Sequence, residues 1–174
     1  SHGTGYSEES FFSTKYDGIP TNLSNNGTSN CYIVSEEGYY GFDASTIGNG
    51  TKGIIPNAGF HTSDPSISPV TAEIVWEDTE DLITYIYFDN TKKTINFWAS
   101  GKEGNALIAA KNEDGTVLWS WHFWSTDKPA DHSYFNHNMK NYIVMDRNIG
   151  ATRADRGAGE EWKESVGLHY QWGR

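Results

Sequence analysis

The sequence has 174 residues, of which 36% are hydrophobic and 14% aromatic, enough for a real core and too rich in large apolar rings for a disordered chain. Its formal net charge of -10, from 13 Lys and Arg against 23 Asp and Glu, argues against nucleic acid as a partner, because phosphate binding needs clustered cations. No apolar run approaches the roughly 18 to 20 residues a membrane-spanning helix needs, and the single cysteine, Cys31, leaves neither an internal disulfide nor a multi-cysteine metal site.

Residues 1–30 are rich in Ser, Thr, Asn and Gly, with Phe11, Phe12 and Tyr16 among them, and read as an extended arm. Strand signals begin with Cys31 to Ser35 and resume at Tyr39 to Phe42, and the intervening Glu36-Glu37-Gly38 suggests a hairpin. From Asp43 to Pro69 seven Gly and Pro residues break every periodicity, which predicts a long surface loop. Five β-prone runs follow: Thr71 to Glu77, Ile83 to Phe88, Thr94 to Ala99, Ala106 to Lys111 and Thr116 to Trp124. Their spacing predicts an antiparallel β-sandwich, and Asp114-Gly115 predicts a tight turn between the last two.

Alternation in the last run puts Val117, Trp119, Trp121 and Phe123 on a core face, with Leu118, Ser120, His122 and Trp124 on the other. The same argument leaves Trp98 and Trp124 as the tryptophans on mixed or exposed faces, where structural packing is preferred to ligand binding for both. The stretch Asp131 to Asn138 reads as a His- and Asn-rich loop and Tyr142 to Asp146 as a strand, while the four-residue spacing of Ala158, Trp162 and Val166 allows a short helix.

Motifs for chemistry are thin. Phosphate-loop, nucleophile-elbow and zinc-helix signatures are all missing, no partner for Cys31 is evident, and a buried inert thiol is expected there. His132 and His137 read as solvated loop histidines and His122 as a hydrogen-bonded strand histidine. Asp78, Glu80 and Asp81 offer oxygen ligands without the spacing of a calcium loop, so neither a metal nor a cofactor is expected. The sequons at Asn22, Asn26 and Asn49 mark exposed loops. A non-catalytic protein is expected, with Trp98, Trp124 and His122 as candidate ligand-binding residues, carbohydrate being the ligand that a platform of such rings would take.

Two motif blocks carry a resemblance. Asn30-Cys31-Tyr32-Ile33-Val34-Ser35, Ala72 to Glu77, Gly104 to Lys111 and Leu118-Trp119-Ser120-Trp121-His122-Phe123-Trp124 together resemble a module of fimbrillin-like and other secreted surface proteins of Bacteroidetes-type bacteria. Val144 to Ala151 and Gly167 to Arg174 are similar to the opening of the major paralogous domain first named from Fibrobacter succinogenes, thought to be C-type-lectin-like. Relatives usually continue past the Gln171-Trp172-Gly173-Arg174 element, so an incomplete second domain is expected, and Arg174 fits cleavage by an arginine-specific protease. The resemblance implies an extracellular place on the bacterial cell surface and a role in adhesion or fimbrial assembly. Its partners would be other surface or fimbrial subunits joined by strand addition, with glycans as the alternative. The division expected is an arm over 1–29, a β-sandwich over 30–127 and an extension over 128–174.

Overall fold

The computed structural model describes residues 18–48 and 65–170. Its strands are β1 (Thr21–Asn22), β2 (Cys31–Val34), β3 (Gly38–Asp43), β4 (Thr71–Glu77), β5 (Ile83–Asp89), β6 (Thr94–Ala99), β7 (Gly104–Lys111), β8 (Val117–Ser125), β9 (Asp131–Phe135) and β10 (Asn141–Met145), followed by a 3-10 helix, Gly159–Ser165. Two four-stranded sheets form a mostly β, sandwich-like fold: sheet I in the order β1-β3-β6-β5 and sheet II in the order β2-β8-β7-β4. β9 and β10 make a separate two-stranded ribbon.

The central strands form where β-branched and aromatic residues are concentrated, a composition that fits a pleated surface, except β7, an apolar, alanine-rich run buried on both faces. Facing inward are Phe42, Ile95 and Phe97 of sheet I and Ala106, Ile108, Trp121 and Phe123 of sheet II, each at most 1% exposed. Phe97 meets Phe123 edge-on at 5.0 Å and Phe42 meets Trp121 at 5.1 Å, so rings from the two sheets interdigitate. Burying each of the isoleucine and phenylalanine side chains contributes about 1.5–3 kcal/mol. At the turn after β7, Gly115 has φ of 85°, a conformation glycine adopts without steric cost, and its N–H donates to the Asn112 carbonyl.

The segments Cys31–Val34 and Gly38–Asp43 are strands but not a hairpin. β2 pairs in parallel with β8, and β3 pairs antiparallel with β6, so the short turn between them crosses from one sheet to the other. The reason lies in their apolar residues. Tyr32 and Phe42 stack at 4.7 Å across the core, a contact that side-by-side pairing would not give. β1–β3 and β2–β8 are thus parallel additions to an otherwise antiparallel pair of sheets.

The predicted loop after β3 is clasped at its stem by bonds from Ile47 N–H to the Pro65 carbonyl and from Ile67 N–H to the Ser45 carbonyl. The rest of that loop, Asn49, the aromatic residues at 11, 12 and 16, and the final four residues lie outside the described residues. Asp131–Phe135, read as loop from its polar composition, is a strand because Asn141–Met145 folds back on it and supplies the ladder. Ala158 and Val166 cap the 3-10 helix, yet Trp162 is 43% exposed, so their spacing does not mark a buried helical face.

Candidate functional site

The expected ligand platform does not form as one surface. Trp98 lies on the outer face of sheet I, half-buried, beside Tyr39 and Tyr85 in the ladder. Tyr87 belongs to the same face, its hydroxyl 2.7 Å from that of Tyr39, and burial pushes the Tyr39 hydroxyl pKa up. Trp124 and His122 occupy the outer face of sheet II and are buried, at 1% and 8% exposure. The placement of Trp124 on an exposed or mixed face is therefore corrected. The cause is the segment from Arg147 to Tyr170, which crosses that face and bonds to Thr126, Asn105 and His122.

Under this segment lies a polar node. Parallel register sets Cys31 of β2 directly opposite His122 of β8, and antiparallel register places Asn105 of β7 beside Trp124. The Asn105 amide nitrogen donates to Asp78 Oδ2 at 2.8 Å and to the Gly150 carbonyl at 2.9 Å. Its Oδ1 must then face the imidazole, where it accepts from His122 Nε2 at 2.8 Å. His122 Nδ1 is left as an acceptor. The Tyr170 hydroxyl reaches it at 2.7 Å and the Cys31 thiol at 3.2 Å, two donors aimed at one lone pair.

A cysteine, a histidine and an asparagine in this order match a nucleophile, base and orienting group in outline. Their electrostatics differ. Burial pushes the Cys31 thiol up to about 12 and the His122 imidazole down to about 4, so the thiol and the ring are both neutral at neutral pH. Burial also raises the Tyr170 hydroxyl to about 12, and Tyr170 sits on the nitrogen that would take the thiol proton. The arrangement is a neutral hydrogen-bond relay from the sandwich to the segment that covers it. The expectation that Cys31 has no histidine partner fails because the two residues, 91 apart in sequence, meet only through strand register.

The β9–β10 ribbon has a different character. All ten of its strand residues are exposed. Phe135, Ile143 and Met145 share one face with Asp131, Ser133 and Asn141, and Tyr134, Tyr142 and Val144 share the other with His132, so both faces carry large apolar side chains. At its tip Asn136 Oδ1 accepts from the N–H groups of Asn138 and Lys140, and Met139, 77% exposed, has φ of 59°. Such a conformation is uncommon outside glycine. The alternation within β10 alone does not announce this exposure, since apolar residues follow one another there without a polar face.

His132 is on β9 and His137 in the turn, both exposed. Among the described residues no group of three or more His, Cys, Asp and Glu is arranged to hold a metal. Asp78 is engaged with Asn105, and Glu77 accepts from the N–H groups of Asp81 and Ile83, which uses these carboxylates to fold the β4–β5 connection. No described helix is long and apolar enough to cross a membrane. No protein-family model matches the sequence, and comparison with curated proteins and with solved structures returned no match.

Proposed function

We propose that this chain is a non-catalytic extracellular protein of the bacterial surface or fimbria, acting in adhesion or assembly, and that the β9–β10 ribbon is where it engages other subunits. The observation that carries this reading is the exposure of large apolar side chains on both faces of a two-stranded ribbon. Such ribbons are marginal alone, and contiguous apolar surface is a common mark of association. Each ribbon strand is paired on one side only among the described residues, so a further strand can add through main-chain hydrogen bonds. Sedimentation velocity over a wide concentration range tests the reading. Oligomers that form with the native chain and disappear in an Ile143→Lys, Val144→Lys double variant are expected; a chain that stays monomeric throughout, or a variant that assembles equally well, refutes it.

A second reading, carbohydrate binding, is favoured by the grouping of Trp98, Tyr39, Tyr85 and Tyr87 on the outer face of sheet I. Aromatic faces stack on sugar rings. Glycan-array binding that is lost in Trp98→Ala and kept in Trp124→Phe supports this reading. Equal loss in both, or no binding by the native chain, removes it.

A further inference from the structure

We propose that the Asn105–His122–Tyr170 relay is an acid-sensitive clasp that holds the segment Arg147–Tyr170 on the outer face of sheet II and lets it lift as His122 is protonated.

The geometry assigns each part. Asn105 is fixed by Asp78 and Gly150, so it can only accept from His122, and His122 in turn can only accept at Nδ1 while it is neutral. Tyr170 is the last described residue of the covering segment, and its hydroxyl makes that segment's bond to His122. Protonation turns Nδ1 into a donor, deprives the Tyr170 hydroxyl and the Cys31 thiol of their acceptor, and places a cation beneath the segment.

The groups facing His122 are few. β2 presents Cys31, the β4–β5 connection presents Asp78 behind Asn105, β7 presents the uncharged Asn105 and the covering segment presents Tyr170. Glu103, Lys163 and Glu164 line a cavity of about 410 Å³ beside Asn105, where the segment meets the sandwich. Asp78 favours the protonated ring, but burial outweighs it.

The sign follows from linkage. The folded imidazole titrates at about 4, against an ordinary 6.5, so the bound segment is most stable above 6.5 and loses stability as pH falls from 6.5 towards 4. For a segment whose lifting returns His122 to water, these two values make the lifted state roughly twentyfold more populated at pH 5 than at pH 7. The ion pairs of Arg147 with Asp127 and Asp146 lie outside this window, because that guanidinium holds both carboxyls below their usual range.

Amide hydrogen exchange of the full chain, corrected for intrinsic pH dependence, is the test. The reporters, read by NMR, are the side-chain amide of Asn105, which donates to the Gly150 carbonyl, and the indole N–H of Trp124, buried beneath the segment. Their protection should fall roughly twentyfold between pH 7 and pH 5 while backbone amides of β7 and β8 keep theirs. Tyr170→Phe, a conservative change at a half-exposed position, should lower their protection at pH 7. His122→Gln should abolish the pH dependence where it folds. Protection unchanged between pH 7 and pH 5, loss shared equally by the backbone amides of β7 and β8, or protection at pH 7 unaltered in Tyr170→Phe would each overturn the clasp.

Discussion

Replacing Asn105 by Ala tests the energetics of the polar node. The side chain is 2% exposed and satisfies three groups: the Nε2–H of His122, the carbonyl of Gly150 and the carboxylate of Asp78. Asp78 is exposed and exchanges its lost partner for water at little cost. His122 and Gly150 are buried, and each orphaned buried group costs about 1–3 kcal/mol. The expected destabilisation is therefore about 3 kcal/mol, nearer 2 where a water enters the space vacated. Urea unfolding followed by tryptophan fluorescence reads this as a drop in midpoint on the order of 1–2 M at an ordinary urea slope. Asn105→Asp keeps the size and inverts the chemistry: it sets a carboxylate against Asp78 and the Gly150 carbonyl. The new carboxyl group binds its proton more readily in the folded state, so the deficit of this variant should shrink as pH is lowered. A midpoint shift below about 0.3 M for Asn105→Ala would refute the claim that buried His122 and Gly150 depend on Asn105 for their hydrogen bonds.

Further perturbations separate the remaining features. Gly104→Ala places a methyl group 2.5 Å from Thr79 Oγ1 and 2.6 Å from Asp78 Oδ1, at a φ of 151° that side chains rarely adopt, and should cost about 2 kcal/mol or more by the same unfolding assay. Arg147→Ala should raise exchange at the Asp146 amide, which closes the base of the ribbon on the Ala130 carbonyl, while β7 and β8 stay protected. In the native chain that contact should weaken only as pH falls through the lowered titrations of Asp127 and Asp146, since a depressed carboxyl stabilises above its unfolded value and not below its folded one. Met139→Gly relieves the positive φ at the ribbon tip and should leave stability unchanged or raise it by up to about 1 kcal/mol, measured as the urea midpoint.

The five central strands are legible in the sequence because runs rich in apolar, β-branched and aromatic residues are bounded by turn residues, and Thr71–Glu77 and Thr94–Ala99 end where those runs end. Sheet membership is not legible in the same way. The pattern of Cys31–Val34 and Gly38–Asp43 states that each strand has an inner face, and it satisfies a hairpin and a crossover equally. Only the stacking of Tyr32 on Phe42 decides between them. The burial of Trp124 depends on a segment more than twenty residues downstream, and the meeting of Cys31, Asn105, His122 and Tyr170 depends on two strand registers at once. None of these residues carries a local signal of the others. Asn105 does carry a local signal of its own: an asparagine between Gly104 and the apolar run from Ala106 is an unexpected polar residue at the start of a buried strand.

The parallel seating of β2 on β8 also has a kinetic meaning. The β7–β8 hairpin closes a turn of a few residues, whereas Cys31 reaches His122 only after a loop of 91 residues has closed, which costs about 2–3 kcal/mol more in chain entropy. β2 should accordingly join last, onto a sheet already made, and Cys31 should stay open to alkylation late into refolding, after tryptophan fluorescence has reported the burial of Trp121. Until that moment β8 is itself an edge, with His122 to Ser125 offering an unsatisfied ladder to whatever strand arrives first. Competition for that edge, rather than loss of core packing, is then the step at which crowding of many such chains would divert them from folding into mispairing.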